Sequence, residues 1–172
     1  MPATYTLIAS NTLSSTASFV TFSSIPATYT DLVFRISSRN DTAATYGDIA
    51  FRFQNDQGAF YGSTIMRGNG SAASGVRYFS VDSVVADWSQ AANNATASTF
   101  GSTEIYIPSY LSSMNKVSSV FGAGENNATS AGIAATAGLY TKTTAITRID
   151  ILGGGGSFVS GSSFFLYGIK NS

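Results

Sequence analysis

The chain is 172 residues long, 44% hydrophobic and 13% aromatic but only 10% charged, with nine basic and nine acidic residues and a formal net charge of zero. That length fits one compact unit with enough apolar matter for a core, and so sparse and balanced a charge provides no field to draw in nucleic acid or an anionic membrane surface. With no Cys and no His in the sequence, disulfides, thiolate nucleophiles, imidazole bases and the usual zinc ligand sets are excluded together.

Ser and Thr contribute 46 residues and Gly 17, while Glu occurs only at Glu104 and Glu125. This usage suits pleated, half-buried strands better than helices. Short alternating or apolar runs separated by Gly, Asn, Asp and Ser clusters recur from end to end, about ten of them, which is the pattern of a β-sandwich or barrel. The first runs cover residues 5–9 and 18–23, with a turn at residues 11–16 between them and another at 26–30, where Pro26 removes a donor. In residues 31–37, Leu32, Phe34 and Ile36 share one face, and in residues 48–54, Ile49, Phe51 and Phe53 do the same. Runs at 60–67 and 76–85 flank the small polar stretch 68–75, which reads as a hairpin tip. The polar stretch 89–98 precedes a strand at 101–107 that Pro108 terminates. The last runs are 116–122, 132–140, 146–152 and 163–170, and the four glycines 153–156 are expected to break the regular structure between the final two. The final run is apolar on both faces, so it is expected inside a sheet covered on its outer side by a loop or another subunit. No stretch has the apolar stripe of a helix, no long apolar run would span a membrane, and no secretory leader is visible.

The expected fold is therefore all-β: one antiparallel β-sandwich domain over residues 1–172, in jelly-roll form, with Leu32, Phe34, Ile36, Ile49, Phe51, Phe53, Ile105, Ile107, Ile149, Ile151 and Leu166 in its core.

Candidate chemistry is thin. Asp41, Asp48, Asp56, Asp82 and Asp87 lie at or near strand ends, where Asp ordinarily supplies turn hydrogen bonds, and nothing marks two of them as the acid pair of a glycosidase. The loops Asn55-Asp56-Gln57 and Arg39-Asn40-Asp41 carry oxygen ligands without the spacing of a calcium loop, and the Gly-rich stretches lack the Lys of a phosphate loop. Asn-x-Ser/Thr triplets at Asn40, Asn69, Asn94 and Asn127 are read as markers of surface loops. No catalytic, cofactor or metal residues are assigned. Trp88, Tyr110, Phe60 and Tyr61 are the candidate surface contacts, because aromatic side chains anchor interfaces and stack on sugars; the competing reading folds them back over the sheet edge.

Several phrases carry a resemblance: Tyr5-Thr6-Leu7-Ile8-Ala9-Ser10, Phe22-Ser23-Ser24-Ile25-Pro26-Ala27-Thr28-Tyr29-Thr30-Asp31-Leu32-Val33, Glu104-Ile105-Tyr106-Ile107-Pro108 and Leu166-Tyr167-Gly168-Ile169-Lys170. Across nearly the whole chain the sequence resembles a group of small structural proteins of tailed phages, especially those infecting aquatic bacteria. The resemblance implies a non-enzymatic virion protein with a jelly-roll sandwich, assembled in the bacterial cytoplasm as a homo-oligomer, commonly a trimer, alongside capsid or other virion proteins. A compact unit without a stalk favours a capsid decoration or head-fibre protein. The alternative is a tail fibre or tail-tip domain that binds a host surface glycan.

Overall fold

The computed structural model describes residues 4–127 and 129–170. Twelve strands form: β1 (Tyr5–Thr12), β2 (Phe19–Phe22), β3 (Asp31–Ser38), β4 (Tyr46–Phe53), β5 (Tyr61–Gly68), β6 (Ala73–Val81), β7 (Val84–Ala91), β8 (Gly101–Ile107), β9 (Lys116–Asn126), β10 (Ser130–Tyr140), β11 (Ile149–Gly154) and β12 (Ser163–Ile169). They make two antiparallel sheets, one of eight strands in the order β1-β12-β3-β8-β9-β10-β5-β6 and one of four in the order β2-β11-β4-β7. The protein is an all-β sandwich with no helix among the described residues.

Period-two alternation decides which side of each strand faces the partner sheet. Leu32, Phe34 and Ile36 of β3, Ile49, Phe51 and Phe53 of β4, Ile105 and Ile107 of β8, Ile149 and Ile151 of β11 and Leu166 of β12 all lie in one buried cluster, so every residue expected in the core is there. Edge-to-face aromatic contacts fill the centre, Phe22 against Phe34 at 5.1 Å and Phe158 against Phe164 at 4.9 Å between ring centroids.

Several boundaries differ from the sequence reading. The run at 76–85 is two strands in different sheets, broken at Asp82-Ser83. The polar stretch at 89–98 contributes its first three residues to β7, because pairing with β4 outweighs weak propensity. β11 continues through Gly153 and Gly154, which sit so close to Gly156 and Asp48 that a side chain would not fit. β12 does run inside its sheet, between β1 and β3, but its outward residues Phe165 and Tyr167 remain half-exposed. Val33, on the face read as wet, is buried, with Tyr106 and Tyr167 on either side in register.

The two sheets approach most closely where β7, the edge of the smaller sheet, crosses the inner face of β8, β9 and β10. Opposite β7 the larger sheet carries almost no side chains. A Cβ placed on Gly122 would come within 2.6 Å of the Ser89 Cα, one on Gly101 within 2.5 Å of the Gln90 Cα, and one on Gly138 within 2.7 Å of Val84. The edge groups of β7 find partners across this gap, the Val85 amide donating to Ser63 Oγ at 2.9 Å and the Thr103 hydroxyl donating to the Ser89 carbonyl. Part of this edge is thus closed by side chains of the opposite sheet, while the backbone of Arg39-Asn40 bridges its end at Ala91. Gly122→Ala should lower stability by about 1–3 kcal/mol through overpacking, whereas Gly75→Ala, whose Cβ would meet nothing nearer than 3.6 Å, should change it by less than about 0.5 kcal/mol; urea denaturation of the two variants checks the contrast.

Candidate interaction surface

The four aromatic residues singled out in the sequence are held by the chain itself. Tyr110 is buried, its hydroxyl donating to the Pro26 carbonyl. Tyr61 is also buried, stacked on Tyr140 at 4.7 Å and bonded to the Phe53 amide. Burial, with the neighbouring Tyr140 and Asp56 charges adding to it, pushes its phenol well above the usual tyrosine range. Phe60 lies under the Lys142 ammonium at 3.7 Å. Trp88 is half-buried between Tyr46, stacked at 4.7 Å, and the Arg67 guanidinium, 4.9 Å from the ring. Tyr61 and Tyr110 are thus internal, whereas Phe60 and Trp88 keep part of their surface in solvent.

The carboxylates are likewise engaged. Asp41 accepts from the Ser157 amide, Asp56 from the Gly58 amide and the Tyr140 hydroxyl, and Asp82 from the Ser83 hydroxyl. The two loops read as possible oxygen cages therefore hold turns and neighbouring strands. Arg39, within one of them, is buried and donates to the carbonyls of Asn93, Ala95, Thr96 and Thr99. Asn40 is buried too, so its triplet does not mark a surface loop, whereas Asn94 and Asn127 are exposed.

Among the described residues, Asp48 is an acid whose carboxyl is shifted by a second acid, Asp87. β7 bulges here, residues 87–89 standing opposite Asp48, with Trp88 at a φ of 52°. Asp48 accepts from the Trp88 amide at 3.1 Å and Asp87 pairs with Arg67 at 2.6 Å. Burial first and the Asp87 charge second push the Asp48 carboxyl up to about 6. Burial also raises Asp87, with Arg67 and Tyr78 opposing. Neither carboxylate lines the clefts beside Phe79, Met66 or Phe19, although Tyr78 and Arg67, which contact Asp87, do. Because folding raises the Asp48 pKa above 3.8, its contribution to stability is complete below that pH and is lost as pH rises through about 6.

What the sequence reading missed is the outer face of β5, β6, β9 and β10. Here the polarity of the alternation is inverted. Inward positions of β9 are Lys116, Ser118, Val120, Gly122 and Gly124, and inward positions of β10 are Gly132, Ala134, Thr136, Gly138 and Tyr140. Val117, Phe121, Ile133 and Leu139 point outward with Met66 and Phe79, at 39 to 72% exposure. Register joins them into rows: Val117 beside Leu139, Gly62 and Phe79, and Phe121 beside Ala135, Met66 and Gly75. The Arg35–Glu104 ion pair borders the patch on one side and Arg77, over the Phe79 ring at 5.4 Å, on the other. The exposed apolar surface of these six side chains is on the order of 600–700 Å², above the ~300–600 Å² of a typical monomer's largest patch and near the ~800 Å² each partner gives to a standard interface. The signal lay in the sequence as small inward residues on β9 and β10, but only the position of β7 shows which face is inward.

No family model matches the chain, and no curated protein matches it.

Asp48→Asn keeps an acceptor for the Trp88 amide and removes the costly charge. We expect it to raise stability at pH 7 by about 1–2 kcal/mol and to match the parent near pH 3.5; urea midpoints at the two pH values check this.

Proposed function

We propose that the protein is a non-enzymatic structural component of a phage virion, a capsid decoration or head-fibre protein that works as a homo-oligomer, in trimeric form. The observation that carries this reading is the uncharged apolar face of β5, β6, β9 and β10, whose size and charged rim fit a surface meant to be covered by protein. Near-zero net charge lets identical copies approach without long-range repulsion. The engagement of the acids in turns, ion pairs and strand contacts supports a role in packing rather than turnover.

The strand order supports the finer fold assignment. With β5–β6 and β9–β10 set aside as inserted hairpins, the remaining strands alternate between sheets except at β4 and β7, which are neighbours in the smaller one, and fall in the orders β1-β12-β3-β8 and β2-β11-β4-β7, which is how two Greek keys wind into a jelly roll. Both hairpins add to the same side of the larger sheet and together build the apolar face.

Two measurements test the proposal. Phe121→Lys with Met66→Lys, on the solvent side of their strands, should leave the fold intact by circular dichroism and convert the oligomer to monomer in analytical ultracentrifugation; an assembly unchanged in mass would remove the face from the interface. On purified particles, copy number near that of the major capsid protein supports decoration. A few copies per particle would assign the chain to a tail fibre or tail tip instead, and its absence from particles would end the virion reading.

A further inference from the structure

The outer face of the four-stranded sheet carries a cleft of about 370 Å³, on a different sheet from the apolar face, a size within the ~300–1,000 Å³ of small-molecule sites. Three neighbouring strands set its centre: Thr21 of β2, Asp150 of β11 and Arg52 of β4 stand side by side in register. Asp150 is the natural counter-charge for Arg52, but its oxygens are already used. Its Oδ1 accepts from Thr21 Oγ1 at 2.6 Å and from Arg148 Nη2 at 2.9 Å, and its Oδ2 accepts from Arg148 Nε at 3.2 Å. Arg52 enters no ion pair among the described residues, and its Nε is buried without an acceptor.

With Nε shut away, the fork Arg52 can offer a ligand is its two terminal nitrogens, and a carboxylate is the group whose planar geometry answers such a fork. The rest of the cleft narrows the ligand further. Phe19, about half exposed, and Leu152 lie in the next row of the same face and supply an apolar wall. Asn55 and Gln57, beyond the end of β4, line the cleft and bring carboxamides that both donate and accept. A cation for a carboxylate, an aromatic wall for a ring face and amides for hydroxyls are the three elements that recognise an acidic sugar. Free phosphate would use the first and leave the other two idle. We propose that this cleft binds a carboxylated sugar of the uronate type, its carboxylate on Arg52 and its ring against Phe19.

The site stands independently of the virion reading, because the isolated full chain is the object tested. Nitrogen-15 spectra are recorded during titration with methyl β-D-glucuronide, methyl β-D-glucoside and inorganic phosphate at fixed ionic strength. Saturable shifts confined to residues around Phe19, Arg52, Asn55 and Gln57 are expected with the glucuronide, with the glucoside and phosphate at least about tenfold weaker. Arg52→Ala should weaken glucuronide binding at least about tenfold, Arg52→Lys should recover only part because it lacks the fork, and Phe19→Ala should weaken it with the charge intact. Spectra unchanged outside the cleft show that each variant is folded. Absence of saturable shifts with the glucuronide, equal binding by Arg52→Ala, or phosphate binding as tightly as the glucuronide would each overturn the proposal.

Discussion

The closeness of β7 to the larger sheet is the constraint on which the rest of the architecture depends. Packed sheets ordinarily stand about 10 Å apart, with interleaved side chains between them. Over β8, β9 and β10 that separation collapses, because Gly101, Gly122, Gly124, Gly132 and Gly138 leave room for backbone, Ser89 and Tyr46 instead. The smaller sheet thereby reaches across β8, β9 and β10 to Ser63 of β5, while the outer strands β1 and β6 stay largely exposed. β7 avoids the fate of an open edge because Ser63 and Thr103 bond to it from the opposite sheet and the Asn40 amide bonds the Ala91 carbonyl.

One consequence is the inversion of polarity on β9 and β10. A position facing β7 has no space for Phe, Ile or Leu, so bulk that these strands carry must go to the other side. Apolar surface that would normally sit in a core is displaced onto the exterior, where burial needs a second molecule. Inner packing and the outer apolar face are thus two sides of one steric requirement.

This also explains what was legible in the sequence. β3 and β4, and β8 beyond Thr103, face a normally spaced core, so their alternation names the buried residues correctly from Leu32 to Ile107. For β9 and β10, Val117, Phe121, Ile133 and Leu139 alternate just as cleanly, but alternation does not say which face is inside, and the nearest rule would have put these four in the core. The break at Asp82-Ser83 was hidden because β6 and β7 abut with too few residues between them for a turn cluster to show. Trp88 and Tyr110 drew attention as loop aromatics, yet their neighbours Tyr46, Arg67 and Pro26 are distant in sequence and invisible to local patterns. Nothing local marks Arg52, which alternates with Phe51 and Phe53, since the diversion of Asp150 to Arg148 and Thr21 depends on three strands meeting.

Arg39 has a consequence of a different kind. Its guanidinium holds the turn after β7 through four carbonyl oxygens, and Glu125 adds a bond to the Thr96 amide and hydroxyl. Carbonyls belong to every residue, so the path of residues 93–99 is encoded mainly outside the segment, while the side chains of Asn93, Asn94, Ser98 and Ala97 stay in solvent. Shape and surface chemistry are thereby decoupled. Apart from Ser98, whose φ of 61° disfavours β-branched residues, the exposed letters of this segment can be rewritten with little penalty to its course, which makes it a natural display platform on an otherwise rigid sandwich.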